Sequence, residues 1–291
     1  MLHFYQHRTR KEKHPTLTVF YIVVAIAAVI AAVAFISCRI RVTETRIRSS
    51  KLPDAFDGYR IVLLTDLHDR YFSIIPEKLR QLHPDAVMLG GDIHSKRKLD
   101  GEFFKFLTSL CGEYEVFFAE GNHDLTPDTA EDYREYTEKI KATGVHLLRS
   151  DEVILRRGKD SVSVSGTDWY RCGNEYPIHT PGLFSIDLLH DPEFFDQVPS
   201  RPDLMLSGHV HGGFVRIPFV GGLIRPGAVE SLKKGNFSRI FLPTYSEGLY
   251  CSADGSSRLF VSVGMGFSGL PFRLIPPEIA LIILEKEPGS P

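Results

Sequence analysis

Apolar residues follow three patterns along this chain. Between Leu17 and Cys38 they run without a charged residue, and about 20 such residues suffice for a helix to cross a bilayer. From Ser49 onward they form short runs that end at polar motifs, which is typical of buried strands. Segments such as Glu102 to Leu110 place apolar residues on one face of a helix. The pattern predicts a membrane helix followed by an α/β body.

The first half of the body alternates between predicted strands and helices. In the order strand, helix, strand, helix, strand, helix, the segments are 60–66, 75–83, 85–92, 102–110, 115–120 and 129–143. This order implies a parallel sheet with helical crossovers. The second half contains shorter strands, namely an antiparallel pair within 151–170, apolar runs at 183–190 and 203–207, a hairpin within 249–264 and a closing strand at 278–284.

The chain divides at the ends of its long apolar run. We assign residues 1–16 to a basic N-terminal tail, 17–38 to a transmembrane helix, 39–51 to a basic juxtamembrane linker and 52–288 to one globular domain. A cleaved signal peptide is the alternative, but its apolar region is usually about 7–15 residues long and ends at small residues. A short N-terminal tail usually stays inside the cell, which predicts a single-pass anchor with the domain outside the cytoplasm.

Charge is distributed unevenly between the two parts. The whole chain has a net charge of −2, whereas residues 1–51 carry nine Lys or Arg and two acidic residues, a balance of +7. The remainder is therefore at −9. Backbone binding to nucleic acid requires Lys and Arg, and the acidic body shows no basic stripe, so no nucleic acid is expected as a partner. The basic head can instead meet anionic lipid headgroups.

Polar motifs that can bind metals follow the predicted strands. In open α/β sheets, ligands bind beyond the carboxyl ends of the strands. Each motif alone is weak, because an Asp-x-His or a Gly-Asp pair suits many turns. Ordinary packing does not explain their succession along the chain. The motifs are Asp66-Leu67-His68, Gly91-Asp92, Gly121-Asn122-His123-Asp124, His190 and Gly208-His209-Val210-His211-Gly212-Gly213.

The donor atoms of these motifs are carboxylate, imidazole and amide. The four cysteines form no CxxC pair, so a structural zinc site is not indicated. Oxygen and nitrogen ligands together suit Mn, Fe, Zn or Ni. Seven candidate ligands exceed the needs of one tetrahedral ion and suit two divalent metal ions that share a carboxylate.

In this order the motifs resemble those of the calcineurin-like metallophosphoesterases, over nearly all of residues 58–286. The segment from Leu206 to Pro218 and the ending Pro276-Pro277-Glu278 resemble a bacterial membrane-associated branch that includes phosphodiesterases and pyrophosphohydrolases. The resemblance implies a four-layer αββα sandwich of two mixed β-sheets, here preceded by one transmembrane helix. It also implies a hydrolase of phosphate esters in which a hydroxide shared by two metals is the nucleophile.

The resemblance also assigns roles to individual residues. His123 would stabilise the transition state or protonate the leaving oxygen, and Asp124 would orient and charge the His123 ring. Asp92 would bridge the two metals. One metal would be held by Asp66, His68, Asp92 and His211, and the other by Asp92, Asn122, His190 and His209.

Two other functions stay open at this point. The apolar loops at 214–226 and 267–277 could form an acyl-chain groove, which would suit a lipid-linked nucleotide pyrophosphohydrolase such as a UDP-diacylglucosamine hydrolase. A non-catalytic metal-binding scaffold would keep the fold, but such proteins typically lose several ligands, and here every ligand position is filled. The expected partners are a phosphate-ester substrate and a membrane, and no protein partner is predicted.

Overall fold

The structure is a computed structural model. It describes residues 15–95, 101–124, 130–169, 171–176, 179–213, 216–217, 221–225, 227–235, 240–266 and 273–287.

Helices and strands alternate through most of the described chain. The helices are α1 (Pro15–Cys38), α2 (Ile75–Leu82), α3 (Gly101–Cys111), α4 (Ala130–Lys141) and α5 (Ala228–Lys233). The strands are β1 (Arg41–Ser49), β2 (Arg60–Leu64), β3 (Ala86–Leu89), β4 (Glu115–Phe118), β5 (His146–Leu147), β6 (Asp151–Arg157), β7 (Asp160–Thr167), β8 (Phe184–Leu189), β9 (Leu204–Ser207), β10 (Arg216–Ile217), β11 (Gly221–Gly222), β12 (Gly248–Cys251), β13 (Arg258–Val261) and β14 (Glu278–Lys286).

Two six-stranded mixed sheets form the body. The first has the strand order β1-β14-β2-β3-β4-β5, and the second has the order β12-β13-β9-β8-β7-β6. Strands β2 to β5 are parallel, whereas β14 runs antiparallel to β2. In the second sheet β7, β8, β9 and β13 are parallel, and the outer strands β6 and β12 are antiparallel to their neighbours. The predicted strand–helix alternation of the first half is confirmed.

The hydrophobic core lies in three layers. Alternate residues of both sheets, such as Ile61 and Leu63 of β2 and Val164 of β7, fill the space between the sheets. The opposite face of the first sheet packs against α2, α3 and α4. The opposite face of the second sheet packs against the 3₁₀ turn Pro192–Asp196. The predicted αββα sandwich is confirmed, with a thin outer layer on the second sheet.

Strand β1 differs from the predicted linker at residues 39–51. It pairs with β14 over its whole length, from Arg41 opposite Glu278 to Ser49 opposite Lys286, so the globular domain begins before residue 52. Its basic residues mostly face β14 carboxylates, since Arg48 binds Glu285 at 2.9 Å. Most of the basic side chains that suggested a lipid-facing linker therefore form ion pairs with carboxylates of the neighbouring strand.

Helix α1 carries the predicted membrane span. Thr18–Cys38 is apolar enough to cross a bilayer, with a mean hydropathy of 3.0, and its side chains are mostly exposed until Ser37, which is buried. An apolar surface of this length would be costly in water. By length and composition it fits a transmembrane anchor.

A buried ion pair fixes residues 179–180 to the outer face of the second sheet. His179 Nε2 lies 3.3 Å from Asp187 Oδ2, and Ser165 donates a 2.6 Å hydrogen bond to Asp187 Oδ1. Burial alone would lower the pKa of His179, but the Asp187 carboxylate more than offsets this, so the pKa is raised. The imidazolium form is favoured in the folded state.

This ion pair predicts a pH-dependent contribution to stability. Because the folded-state pKa of His179 is raised, the contribution is complete below the unfolded-state pKa and is lost as pH rises through the folded-state pKa. His179→Gln is expected to lower the unfolding free energy more at pH 6 than at pH 9, by about 1 kcal/mol at most. Chemical denaturation at the two pH values measures this, and equal losses at both would contradict it.

Candidate metal centre

The candidate ligands lie in loops at the carboxyl ends of five strands. Asp66 and His68 follow β2, Asp92 follows β3, and Asn122 follows β4. From the second sheet, His190 follows β8, and the two histidines of the Gly-His-Val-His motif follow β9. Because the sheets are stacked with these strand ends at a common edge, all seven residues that the motifs predicted can meet there.

Six of the seven residues form two compact groups. Asp66, His68 and His211 bring their ligand atoms within 4.8 Å of one another. Asp92, His190 and His209 form the second such group. Each group contains one carboxylate and two imidazoles, a set that binds transition metals well. The division matches the two ligand sets that the family resemblance implied, apart from Asn122.

Asp92 belongs to the second group and also faces the first. Its Oδ2 atom is 3.3 Å from Nε2 of His190 and 3.8 Å from Nε2 of His68. On its other oxygen, Oδ1 accepts the backbone N–H of His123 at 2.7 Å. One carboxylate therefore borders both groups, which is the geometry required of a bridging ligand.

Among the described residues, several buried donor and acceptor atoms at this edge have no hydrogen-bond partner. They include Nε2 of His68, Nε2 of His190 and Oδ1 of Asn122. Unpaired buried polar atoms cost about 1–3 kcal/mol each, and folded proteins keep few of them. Three of them converge where metals are expected, so the residues present fit divalent ions.

Burial sets the protonation of three imidazoles. It lowers the pKa of His68 to about 4 and that of His209 to about 3. For His211, burial holds the pKa well below the ordinary value. All three rings are therefore neutral at pH 7, and a neutral ring keeps the lone pair that a metal requires.

The acidic groups and His190 respond to one another. Burial raises the pKa of Asp66 to about 6. Burial also opposes ionisation of Asp92, but the neighbouring His190 offsets this, and its pKa is lowered. For His190, burial alone would lower the pKa, and the Asp92 and Asp66 carboxylates raise it to about 10.

Hydrogen bonds orient the two central histidines. Nδ1 of His190 lies 2.7 Å from the carbonyl of Gly90, and a carbonyl can only accept, so this nitrogen carries a proton. Nδ1 of His68 lies 2.6 Å from Oγ of Ser95, whose backbone N–H is held by Asp69. Such contacts fix the ring and direct Nε2 towards a metal.

Backbone strain is concentrated in the candidate ligands. Five of them adopt a left-handed conformation, with φ between 49° and 67°. For residues other than glycine this region is sparsely populated and costs of order 1–3 kcal/mol. They are Asp66, His68, Asp92, His209 and His211.

Asp124 has different partners from those predicted. The expectation was a contact that orients and charges the His123 ring. Instead the buried carboxylate accepts the backbone N–H groups of Asp92, His94 and Gly121 at 2.7–2.9 Å. Within the described chain no hydrogen bond joins it to the His123 ring. Asp124 thus holds the loops after β3 and β4 together.

The motifs did not predict two other residues at this edge. Trp169 packs against His209 with ring centroids 4.9 Å apart and against His190 at 5.9 Å. Its position just beyond β7, again at the carboxyl end of a strand, is the signal that could have found it. Arg273 is buried, and its guanidinium binds main-chain carbonyls near Asp66.

Residues 59–213 match the sequence profile of the calcineurin-like phosphoesterases. This range covers more than half of the chain and every candidate ligand. The chain belongs to this family, and it is a phosphoesterase hydrolase.

Curated relatives agree with this assignment. The uncharacterized metallophosphoesterase YkuE of Bacillus subtilis is 30% identical over 275 residues, which cover 85% of this chain and 86% of that protein. Phosphodiesterase YaeI of Escherichia coli is 29% identical over 58% of this chain and 66% of its own length. A transmembrane protein with metallophosphoesterase domain from Danio rerio is 26% identical over 84% of this chain and 57% of its own length.

Proposed function

We propose that this protein is a membrane-anchored hydrolase of phosphate esters that uses two divalent metal ions. The observation that supports this most directly is the pair of ligand groups on either side of Asp92. Asp66, His68, Asp92 and His211 would hold one ion, and Asp92, Asn122, His190 and His209 would hold the other. The scissile bond would belong to a phosphodiester, a phosphomonoester or a pyrophosphate.

The chain's own residues prepare this chemistry. When bound, the two ions would supply Lewis acidity towards phosphoryl oxygens and lower the pKa of an attacking water. His123 is exposed beside His68, with ring centroids 5.1 Å apart, and its backbone N–H donates to Asp92. From this position the His123 ring would donate a proton to the leaving oxygen. The neighbouring rings of His68, His209 and His211 are neutral, so the negative charge that can balance the ions comes from carboxylates.

The membrane part of the proposal rests on α1. We propose that this helix anchors the protein and that the domain lies outside the cytoplasm. A lipid-linked substrate, with UDP-diacylglucosamine as one candidate, would suit such an anchor. Half of the residues in the loops at 214–226 and 267–277, which suggested an acyl-chain groove, lie outside the described residues.

Chelation is expected to abolish activity reversibly. Full-length protein in detergent should hydrolyse p-nitrophenyl phosphate or bis-p-nitrophenyl phosphate with Mn²⁺, Fe²⁺, Zn²⁺ or Ni²⁺. A chelator should stop this, and the same metal should restore it. Each ion present at 100 times its dissociation constant should also stabilise the fold by about 2.7 kcal/mol.

Three measurements decide this proposal: turnover, metal content and thermal unfolding. Two metal ions per chain with turnover would support it. Two ions per chain without turnover of any ester would favour the scaffold function instead. Turnover that survives complete removal of metal would contradict metal-dependent hydrolysis.

A further inference from the structure

The anchor helix enters the domain at the edge that carries the metal ligands. Only two residues separate the end of α1 from the start of β1. Arg41 at the start of β1 pairs with Glu278 at the start of β14. Because β14 is antiparallel to β2, its beginning lies beside the end of β2, where Ala280 pairs with Leu63. Asp66 follows that end directly, so strand topology places the helix terminus at the ligand edge.

Hydrogen bonds tie the last turn of α1 to loops of that edge. Oγ of Ser37 donates to the carbonyl of Arg273 at 3.1 Å and accepts the Arg273 N–H at 2.9 Å. The Tyr71 hydroxyl, in the loop that also carries His68, lies 3.5 Å from the carbonyl of Ser37. Ser37 is buried by these contacts, although the helix before it is exposed. The end of the helix is therefore fixed to the domain and is not joined to it by a flexible linker.

Arg273 continues this connection to a candidate ligand. Its guanidinium donates to the carbonyls of Val263, at 2.5 Å, and of Gly266. The Gly266 N–H in turn donates to the carbonyl of Asp66 at 2.5 Å. A Cβ atom on the nearby Gly264 would lie 2.6 Å from Cβ of Asp66, so this turn packs directly on the ligand. Arg273 and the turn at 263–266 thus connect the end of α1 to the candidate ligand Asp66.

The exposed side chains around this junction suit a lipid surface. Ile74 ends the loop that begins at His68 and is 43% exposed, and Leu274 beside Arg273 is 42% exposed. Arg39 and Arg70 are exposed at the same edge. Apolar side chains beside cations are characteristic of surfaces that sit in anionic headgroups.

We infer that the metal-ligand edge of the sandwich lies against the membrane, so that the enzyme acts on phosphate esters of membrane-resident amphiphiles. The orientation follows from the fixed junction between α1 and the domain. The substrate class rests in addition on the proposed hydrolase function. A headgroup phosphate would then reach the ligands from the bilayer, whereas a soluble ester would have to enter between the domain and the lipid.

Fluorescence quenching tests the orientation without relying on activity. All four cysteines are free, so they can be replaced without breaking a disulfide. Single labels at Leu274→Cys and at Lys159→Cys would report on opposite edges, because Lys159 lies in the turn between β6 and β7 at the amino end of the parallel strands. Full-length protein would be placed in phosphatidylcholine–phosphatidylglycerol vesicles that carry a nitroxide on the headgroup.

Quenching is expected to be at least about threefold stronger for the label at residue 274 than for the label at 159. Ile74→Cys provides a second reporter at the ligand edge, should Leu274→Cys fail to fold. Equal quenching at both edges, or stronger quenching at 159, would overturn the orientation.

Two diesters with the same leaving group test the substrate class. Hexadecyl p-nitrophenyl phosphate partitions into the vesicles, and methyl p-nitrophenyl phosphate stays in water. With metal-loaded protein in the same vesicles, we expect kcat/KM for the hexadecyl ester to exceed that for the methyl ester at least about tenfold. Equal values would overturn the substrate class.

A variant with a flexible junction between α1 and the domain tests whether the fixed junction produces this preference. Ser37→Ala combined with a ten-residue Gly-Ser insertion between Cys38 and Arg39 keeps the anchor but lets the domain move by up to about 35 Å. The preference for the hexadecyl ester should fall at least about fivefold, while turnover of the methyl ester stays within about twofold. An unchanged preference would count against the fixed junction. If neither ester is cleaved with any metal, the hydrolase proposal fails, and the quenching ratio still decides the orientation.

Discussion

Asp92→Asn is expected to lower turnover of bis-p-nitrophenyl phosphate by about 10³-fold or more. Asp92 Oδ2 is the atom that faces both ligand groups, at 3.3 Å from His190 and 3.8 Å from His68. An amide lacks the negative charge that offsets two neighbouring cations. The Oδ1 atom can still accept the His123 N–H, so the fold should survive.

Turnover, metal content and unfolding of the Asp92→Asn protein should be measured together. We expect fewer than two ions per chain and a melting temperature close to that of the metal-free parent protein. Asp203→Asn is the matched control, because Asp203 is also buried but lies at the amino end of β9 and binds Ser185. Activity that persists in Asp92→Asn, or that disappears equally in Asp203→Asn, would remove the reason for assigning Asp92 a bridging role.

Gly121→Ala is expected to inactivate the protein although it changes no functional group. A Cβ atom at this position would lie 2.3 Å from Oδ1 of Asp92 and 2.9 Å from Cδ2 of His190. Neither neighbour can retreat freely, because both are buried and hydrogen-bonded. A displacement of about 1 Å at a reacting centre can cost about 100-fold in rate, and overpacking costs about 1–3 kcal/mol in stability.

Gly101→Ala is the control for this substitution. Gly101 begins α3, and a Cβ atom there would meet no atom of the described residues within 4 Å. Its rate and melting temperature should match those of the parent protein. If Gly121→Ala retains full activity and binds two ions, the close packing around Asp92 does not position the site.

The ligand edge could be predicted from sequence because two local rules coincide. Each motif follows an apolar run, and parallel strands bring their carboxyl ends to one edge. The family resemblance then divided the ligands between two groups, and the structure places the carboxylates and imidazoles in the same two groups. The position of the loop Asp66–His68 at this edge of the sheet could therefore be predicted from the sequence alone.

Other features depend on contacts that sequence spacing does not encode. Strand β1 carries alternating charges that read as a linker, and its partner β14 lies 237 residues further along the chain. Asp124 was assigned to its sequence neighbour His123, but it binds backbone groups of another loop. Arg273 was not predicted because its partners are main-chain carbonyls. Every residue carries such a carbonyl, so the sequence does not show which ones an arginine binds.

The position of β14 bears on how this protein can be made. This strand lies between β1 and β2 in the first sheet, yet it follows the other described strands along the chain. Helix α1 is synthesised before β1, and β1 then waits for β14, its neighbour in the sheet among the described residues, until more than 200 further residues have been made. Inserting β14 between β1 and β2 joins segments that are far apart in sequence, and such long-range pairing slows folding. A ribosome-stalled chain that ends at residue 277 should therefore be sensitive to protease, and extension of the chain through β14 should bring resistance.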